Sequence, residues 1–219
     1  MAARPPLTIC VLGAESTGKT RLTQEMASRL RAQGDRVAVV PEVLRAWCEQ
    51  AGRAPRPDEW EAIAREQERQ VDAALTTADI VLADTSALVV AVYGALLFED
   101  HPLLQFARER QRGYDLMLLT GLDVPWTADG LQRAGPQARE ATDAVLREQL
   151  QRAGVDWRMV YGTGPHRCAN ALEAVASVAP WAWRPADAPP ARWRGVCDAC
   201  SDPDCEHRLF TGLAARPLS

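Results

Sequence analysis

No stretch of this 219-residue chain offers the roughly 20 consecutive apolar residues of a membrane span. The apolar run near the N-terminus is too short for a secretory leader, so the sequence predicts a cytoplasmic protein. No run of Lys or Arg exceeds two residues, and the formal charge is −4. Binding a phosphate backbone requires clustered positive charge, so a dedicated nucleic-acid or membrane surface is excluded. No segment repeats internally. In that compartment the six cysteines read as thiols or metal ligands rather than disulfides. A chain of this length suits one α/β domain with an appendage, and it buries enough surface to be stable without staples.

What is present begins at Leu7. The segment Leu7-Thr-Ile-Cys-Val-Leu-Gly13-Ala14-Glu15-Ser16-Thr17-Gly18-Lys19-Thr20 reads as a buried strand running into a G-x-x-x-x-G-K-[ST] phosphate loop. A helix-spaced row, Leu22, Met26 and Leu30, follows it. Glycines let successive backbone N–H groups turn toward one anion, and the helix N-terminus adds partial positive charge. Lys19 is placed to reach the β- and γ-phosphates of a nucleoside triphosphate, and the Thr20 hydroxyl to ligate Mg²⁺.

Strand-like and helix-like segments alternate from there on, which predicts a mainly parallel sheet covered on both faces. The strands are expected at 7–12, 37–40, 80–83, 114–120 and 157–161. The helices are expected at 19–33, 42–51, 58 to about 75, 87–98, 102–112, 137–152 and up to 178. Asp58 and Glu61 are spaced as a capping box, and the helix they open carries Trp60, Ile63, Ala64, Gln67, Val71 and Ala74 along one stripe. Residues 122–140 read as a lid, rich at first in Gly, Pro and Asp. At Pro180 the texture changes: residues 180–195 hold four of the 15 prolines and three of the 7 tryptophans. The expected domains are therefore a phosphate-loop domain over 1–179 and an extension over 180–219.

In an open parallel sheet, ligands sit beyond the carboxyl ends of the strands. Glu42 follows strand 2 and Asp84 follows strand 3. One of these acids is expected to hold Mg²⁺ and the other to act as general base, in an order the sequence leaves open. The lid carries Trp126, Asp129, Arg133 and Arg139, and a mobile arginine beside a transferring phosphate stabilises its charge. After strand 5, Tyr161-Gly-Thr-Gly-Pro-His-Arg167 offers small residues for an adenine base, with Arg167 over its face. In the tail, Cys197, Cys200, Cys205 and His207 match a four-ligand structural zinc set. Cys10, Cys48 and Cys168 are scattered and read as buried apolar side chains. His101 and His166 have no partner pattern.

The chain has Asp84-Thr-Ser-Ala87 and Thr120-Gly-Leu-Asp123 where a GTPase requires a glycine after the acid and an Asn-Lys-x-Asp base reader. The fold class is therefore α/β, a P-loop NTPase built like nucleoside and nucleotide kinases, with a five-stranded sheet and a short Cys/His-containing extension. Taken together, GAESTGKT, VPEVLRAW, DTSALVVAVYGALLF and YDLMLLTGLDVPWTADGLQR resemble the nicotinamide riboside kinase domain of NadR-type bacterial NAD-metabolism proteins, within the P-loop, AAA-like ATPase families. The resemblance runs in order over about residues 7–178.

It implies ATP and Mg²⁺ as cofactors and phosphate transfer to a riboside 5′-hydroxyl, with a small-molecule riboside as partner and no nucleic acid or membrane. It places Gly13 to Thr20 on the triphosphate, Glu42 and Arg45 facing the acceptor, Asp84 by the metal or acceptor, and Trp126 and Asp129 by the riboside. Where that family shows Asp-Gly-Leu-Arg, this chain has Asp129-Gly-Leu-Gln132-Arg133, so the lid arginine is shifted or replaced. The sequence shows no adenylyltransferase or DNA-binding motif. The other reading is an ATP-binding regulatory protein that acts through the Cys/His tail. The oligomeric state stays open, a homo-oligomer included.

Overall fold

Five short apolar segments, each bounded by turn residues, line up side by side in the computed structural model, which describes residues 4–97, 102–126 and 136–184. In chain order the elements are β1 (Leu7–Leu12), α1 (Lys19–Ala32), β2 (Val37–Val40), α2 (Val43–Ala51), α3 (Trp60–Leu75) and β3 (Ile80–Asp84). They continue with α4 (Ala87–Leu97), α5 (Leu103–Gln111), β4 (Leu116–Thr120), α6 (Pro136–Ala153), β5 (Arg158–Val160) and α7 (Gly164–Val178). The strands form one sheet in the order β2-β3-β1-β4-β5, with every pairing parallel. Strands covered on both faces read as near-continuous apolar runs, which is the pattern of β1, β3 and β4. The chain leaves β1 for β2 on one side and later reaches β4 on the other. The crevice beyond β1 is therefore the switch point where such sheets bind ligands.

Successive side chains of β1 enter opposite cores. Cys10 and Leu12 join the layer under α2 to α6, while Ile9 and Val11 join the layer under α1 and α7. Helix α4 packs against α3, α5 and α6, and its residues 87–92 are buried all round. That explains why its apolar residues show no single stripe. Cys10, Cys48 and Cys168 are buried.

Several boundaries differ from the sequence pattern. The capping box does not form: α3 starts at Trp60 and no side chain caps it. Glu59 is taken instead by both terminal nitrogens of Arg53, at 2.6 and 2.7 Å, and by the backbone N–H of Arg56 at 2.7 Å. β4 begins at Leu116, because the Asp115 carboxylate turns to accept the Thr8 N–H at 2.7 Å. Residues 180–184 pack against the layer under α1 and α7. Trp181 and Trp183 cover the α1–α7 core, and the Gln33 side chain exchanges hydrogen bonds with the Arg184 backbone at 2.7 and 3.1 Å. No helix among the described residues is long and apolar enough to cross a membrane.

Candidate active site

The phosphate loop leaves β1 at Gly13, whose φ of +151° suits glycine. A Cβ there would stand 2.0 Å from Thr120 Oγ1 and 2.9 Å from Thr17 Oγ1. The two hydroxyls are 2.8 Å apart, Thr17 Oγ1 donates to the Ala14 carbonyl at 2.8 Å, and Thr120 Oγ1 lies 3.0 Å from the Leu12 carbonyl. The end of β4 thus clamps the loop from the side. Ser16 and Gly18 are left-handed, at φ 54° and 75°, a sequence of turns that directs N–H groups inward. Lys19 folds back to donate to the Ala14 carbonyl at 2.9 Å. The residue is only 6% exposed. Burial lowers its hold on a proton, while the charges of Glu42 and Asp84 raise it.

On the β2–β3 side stand two acids, Glu42 and Asp84. Glu42 occupies the N-cap of α2 and is paired with Arg45 at 3.0 Å. The corner carrying it is pinned by Gln67 of α3, which accepts from Val43 N–H at 2.9 Å and donates to the Pro41 carbonyl at 3.3 Å. Periodicity put Gln67 on the buried stripe but gave no sign of this bond across 24 residues. Glu15, in the loop itself, is nearly buried and its Oε2 has no hydrogen-bond partner.

Asp84 ends β3 opposite Val11 and is 3% exposed. Burial raises its pKa, opposed by a hydrogen bond with Thr20 and the charge of Lys19. Its Oδ1 is buried without a partner, as is Oγ1 of Thr85. Thr85 is itself left-handed at φ 79°, a costly conformation for a β-branched residue. Among the described residues no three His, Cys, Asp or Glu side chains gather to hold a metal. What exists is half a site: the Thr20 hydroxyl and the Asp84 carboxylate, one oxygen of which is without a partner. That oxygen set fits Mg²⁺, which takes one or two protein ligands and completes its shell from phosphate and water.

On the β4–β5 side the charges are basic. Arg167, at the start of α7, donates to the Thr17 carbonyl at 2.9 Å and the Gly162 carbonyl at 3.1 Å, and lies 3.5 Å from Asp123 Oδ1. The other Asp123 oxygen accepts the Gly162 N–H. The sequence placed Arg167 at the nucleotide but missed that it ties the phosphate loop to the β5–α7 turn. Burial depresses its pKa and the positive charge of Arg139 depresses it further, against the pull of Asp123. Arg139 is 6% exposed, and its Nε and Nη2 are buried with no hydrogen-bond partner. The Nε1 of Trp126 is likewise without one. Tyr161 lies over Gly121, where a Cβ would come within 2.4 Å of its ring. Asp129, Arg133, His101, Cys197, Cys200, Cys205 and His207 lie outside the described residues.

With this geometry in view, the AAA domain family model matches residues 8–167. Among solved structures, NadR protein in complex with NAD and AMP-PNP aligns with a TM-score of 0.66 at 22% identity, over 80% of this chain and 50% of that one. NadR protein in complex with NR aligns with a TM-score of 0.64 at 20% identity, over 80% and 51%. At such identity the likeness shows the fold, and the chain spans about half the length of these structures. No curated protein matches the sequence.

Proposed function

Because the chain belongs to the AAA domain family and has its P-loop NTPase fold, we propose that it is an ATP-dependent small-molecule kinase. Its acceptor is a riboside 5′-hydroxyl, and nicotinamide riboside is the first candidate. The observation that carries this reading is a pair of groups of opposite sign with buried, unpartnered atoms: Asp84 Oδ1, and Nε and Nη2 of Arg139. Phosphoryl transfer is catalysed by positioning and charge stabilisation, and a metal ion and a transferring phosphate are the chemistry that would satisfy these groups. The solved structures of NadR with AMP-PNP and with NR add support through the shared fold.

In this reading Lys19 leaves the Ala14 carbonyl and, with the loop N–H groups, binds the β- and γ-phosphates. Thr20 and Asp84 hold Mg²⁺, which when bound supplies charge neutralisation to the phosphates. Glu42 accepts the proton of the attacking hydroxyl, and Arg45 keeps the carboxylate oriented toward it. Arg139, aided by Arg133, balances charge on the transferring group. Trp126 and Asp129 take the riboside, and Arg167 fixes the loop beside the base. The tail set Cys197, Cys200, Cys205 and His207 is proposed, on spacing alone, as a structural zinc site in an extension over 180–219.

The test is ADP release by purified protein given ATP, Mg²⁺ and a panel of ribosides. Release dependent on a riboside supports the assignment, and none with any riboside sinks it. Lys19→Ala should reduce turnover to background with an unchanged melting curve.

A further inference from the structure

Beneath the metal side of the crevice lies a polar cluster that phosphate binding does not use. Glu68 of α3 is 3% exposed among the apolar side chains of the α3–α4–α5 layer. A carboxylate so placed is costly unless its lone pairs are satisfied. Its Oε1 accepts the Ala87 N–H at 2.8 Å, its Oε2 lies 3.3 Å from Arg110 Nε, and the Tyr114 hydroxyl stands 3.2 to 3.3 Å from both oxygens. Beside it, Ser86 Oγ donates to Gln111 Oε1 at 2.7 Å and accepts the Leu88 N–H at 3.2 Å. Side chains of α3 and α5 together hold the first turn of α4.

That turn is the mount of the site acid. Three residues before Ala87 comes Asp84, and between them stands Thr85 in its left-handed conformation, with its N–H on the Val11 carbonyl at 3.1 Å. Strain of this kind persists only where the surroundings over-determine it. Capping a helix would need no buried charge, since Ser86 already serves. Burying a charge there is otherwise unfavourable, because an apolar side chain of similar volume is often as stable.

We infer that Glu68 is a positioning residue for Asp84: by anchoring the first turn of α4 it holds the strained 84–86 turn and keeps the Asp84 carboxylate on Thr20, ready for the metal ion. The inference rests on the proposed metal role of Asp84, and not on which acceptor is phosphorylated.

The experiment measures affinity of the full chain for a fluorescent ATP analogue across a Mg²⁺ titration and in EDTA, alongside melting curves. Glu68→Met should fold and bind nucleotide in EDTA like the unmodified protein, yet need roughly tenfold to a hundredfold more Mg²⁺ to tighten that binding. Glu68→Gln keeps an acceptor for the Ala87 N–H and should recover most of the response. A Glu68→Met protein with an unchanged Mg²⁺ titration overturns the inference, as does unmodified protein whose nucleotide affinity ignores Mg²⁺. If Glu68→Met does not fold, the double variant Tyr114→Phe, Arg110→Met strips two donors from the same carboxylate. It must raise the Mg²⁺ requirement, and an unchanged requirement overturns the inference. A protein that responds to Mg²⁺ but phosphorylates no riboside loses the kinase assignment and keeps this one.

Discussion

Two nitrogens of Arg139 are buried with nothing to donate to, and Arg167 lies close enough for their charges to repel. A buried group without a partner costs about 1–3 kcal/mol, more when charged. Arg139→Met should therefore raise the melting midpoint while cutting turnover by at least roughly a hundredfold, the usual loss when one charge-stabilising donor is removed. Melting curves and single-substrate kinetics on one preparation check both halves. Gly13→Ala makes the opposite case. The new Cβ meets Thr120 Oγ1 at 2.0 Å, and alanine resists φ +151°, a strain of about 1–3 kcal/mol. Adding Thr120→Ala removes the closest of these clashes and should recover part of the loss in denaturant midpoints, leaving the contact with Thr17 Oγ1 at 2.9 Å and the strain. Gly13, Lys19 and Thr20 were legible in the sequence because they act within eight consecutive residues. Thr120 and Arg167 clamp the loop from 103 and 150 residues away, and Gln67 pins the neighbouring β2–α2 corner from 24; nothing local marks these contacts, although Arg167 itself was legible as a nucleotide-side residue. Glu68 did leave a signal: it falls on the buried stripe between Ala64 and Val71, where an acid is out of place.

Between α2 and α3 the ion pair of Arg53 and Glu59 replaces the expected cap. Asp58 and Glu61 have the right spacing, but Glu59 also bonds the Arg56 N–H, so the turn closes on the neighbouring carboxylate. The Arg53 guanidinium, with help from Arg56, holds Glu59 at about 2. A carboxyl depressed on folding stabilises the protein above its ordinary range, and that contribution drains away as the pH falls toward the folded value. Melting curves from neutral pH to about pH 3 should thus show a smaller acid loss in Arg53→Met than in the unmodified protein. Equal losses would show the corner is not pH-linked. The strand and helix order was legible because each element has its own period or apolar run. The ends were not, since β4 loses Asp115 to Thr8 and α3 loses its cap to Arg53, and both competitions are settled by neighbours in space.

Across the whole molecule, residues 180–184 behave as part of the sheet unit. A chain ending after Arg184 keeps Trp181, Trp183 and the Gln33 bonds, and should melt with the full chain and bind nucleotide equally. Ending it at Ala179 removes the cover of two half-buried tryptophans, a loss of about 3 kcal/mol, read as a lower denaturant midpoint. If the proposed tail site forms, metal analysis of the full chain should find about one zinc, lost on acidification as its thiolates and imidazole take up protons, and Cys197→Ser should abolish it. The N-terminal half of α4 carries a consequence of its own. Residues 87–92 meet no solvent on any side, so their amide hydrogens should exchange only when the whole fold opens. Asp84, at the end of β3, leads through Thr85 and Ser86 into this helix, so the acid side of the crevice should share that protection. On the opposite wall, where Asp123 joins the turn after β4 to the start of α7, amide exchange should be faster than in α4.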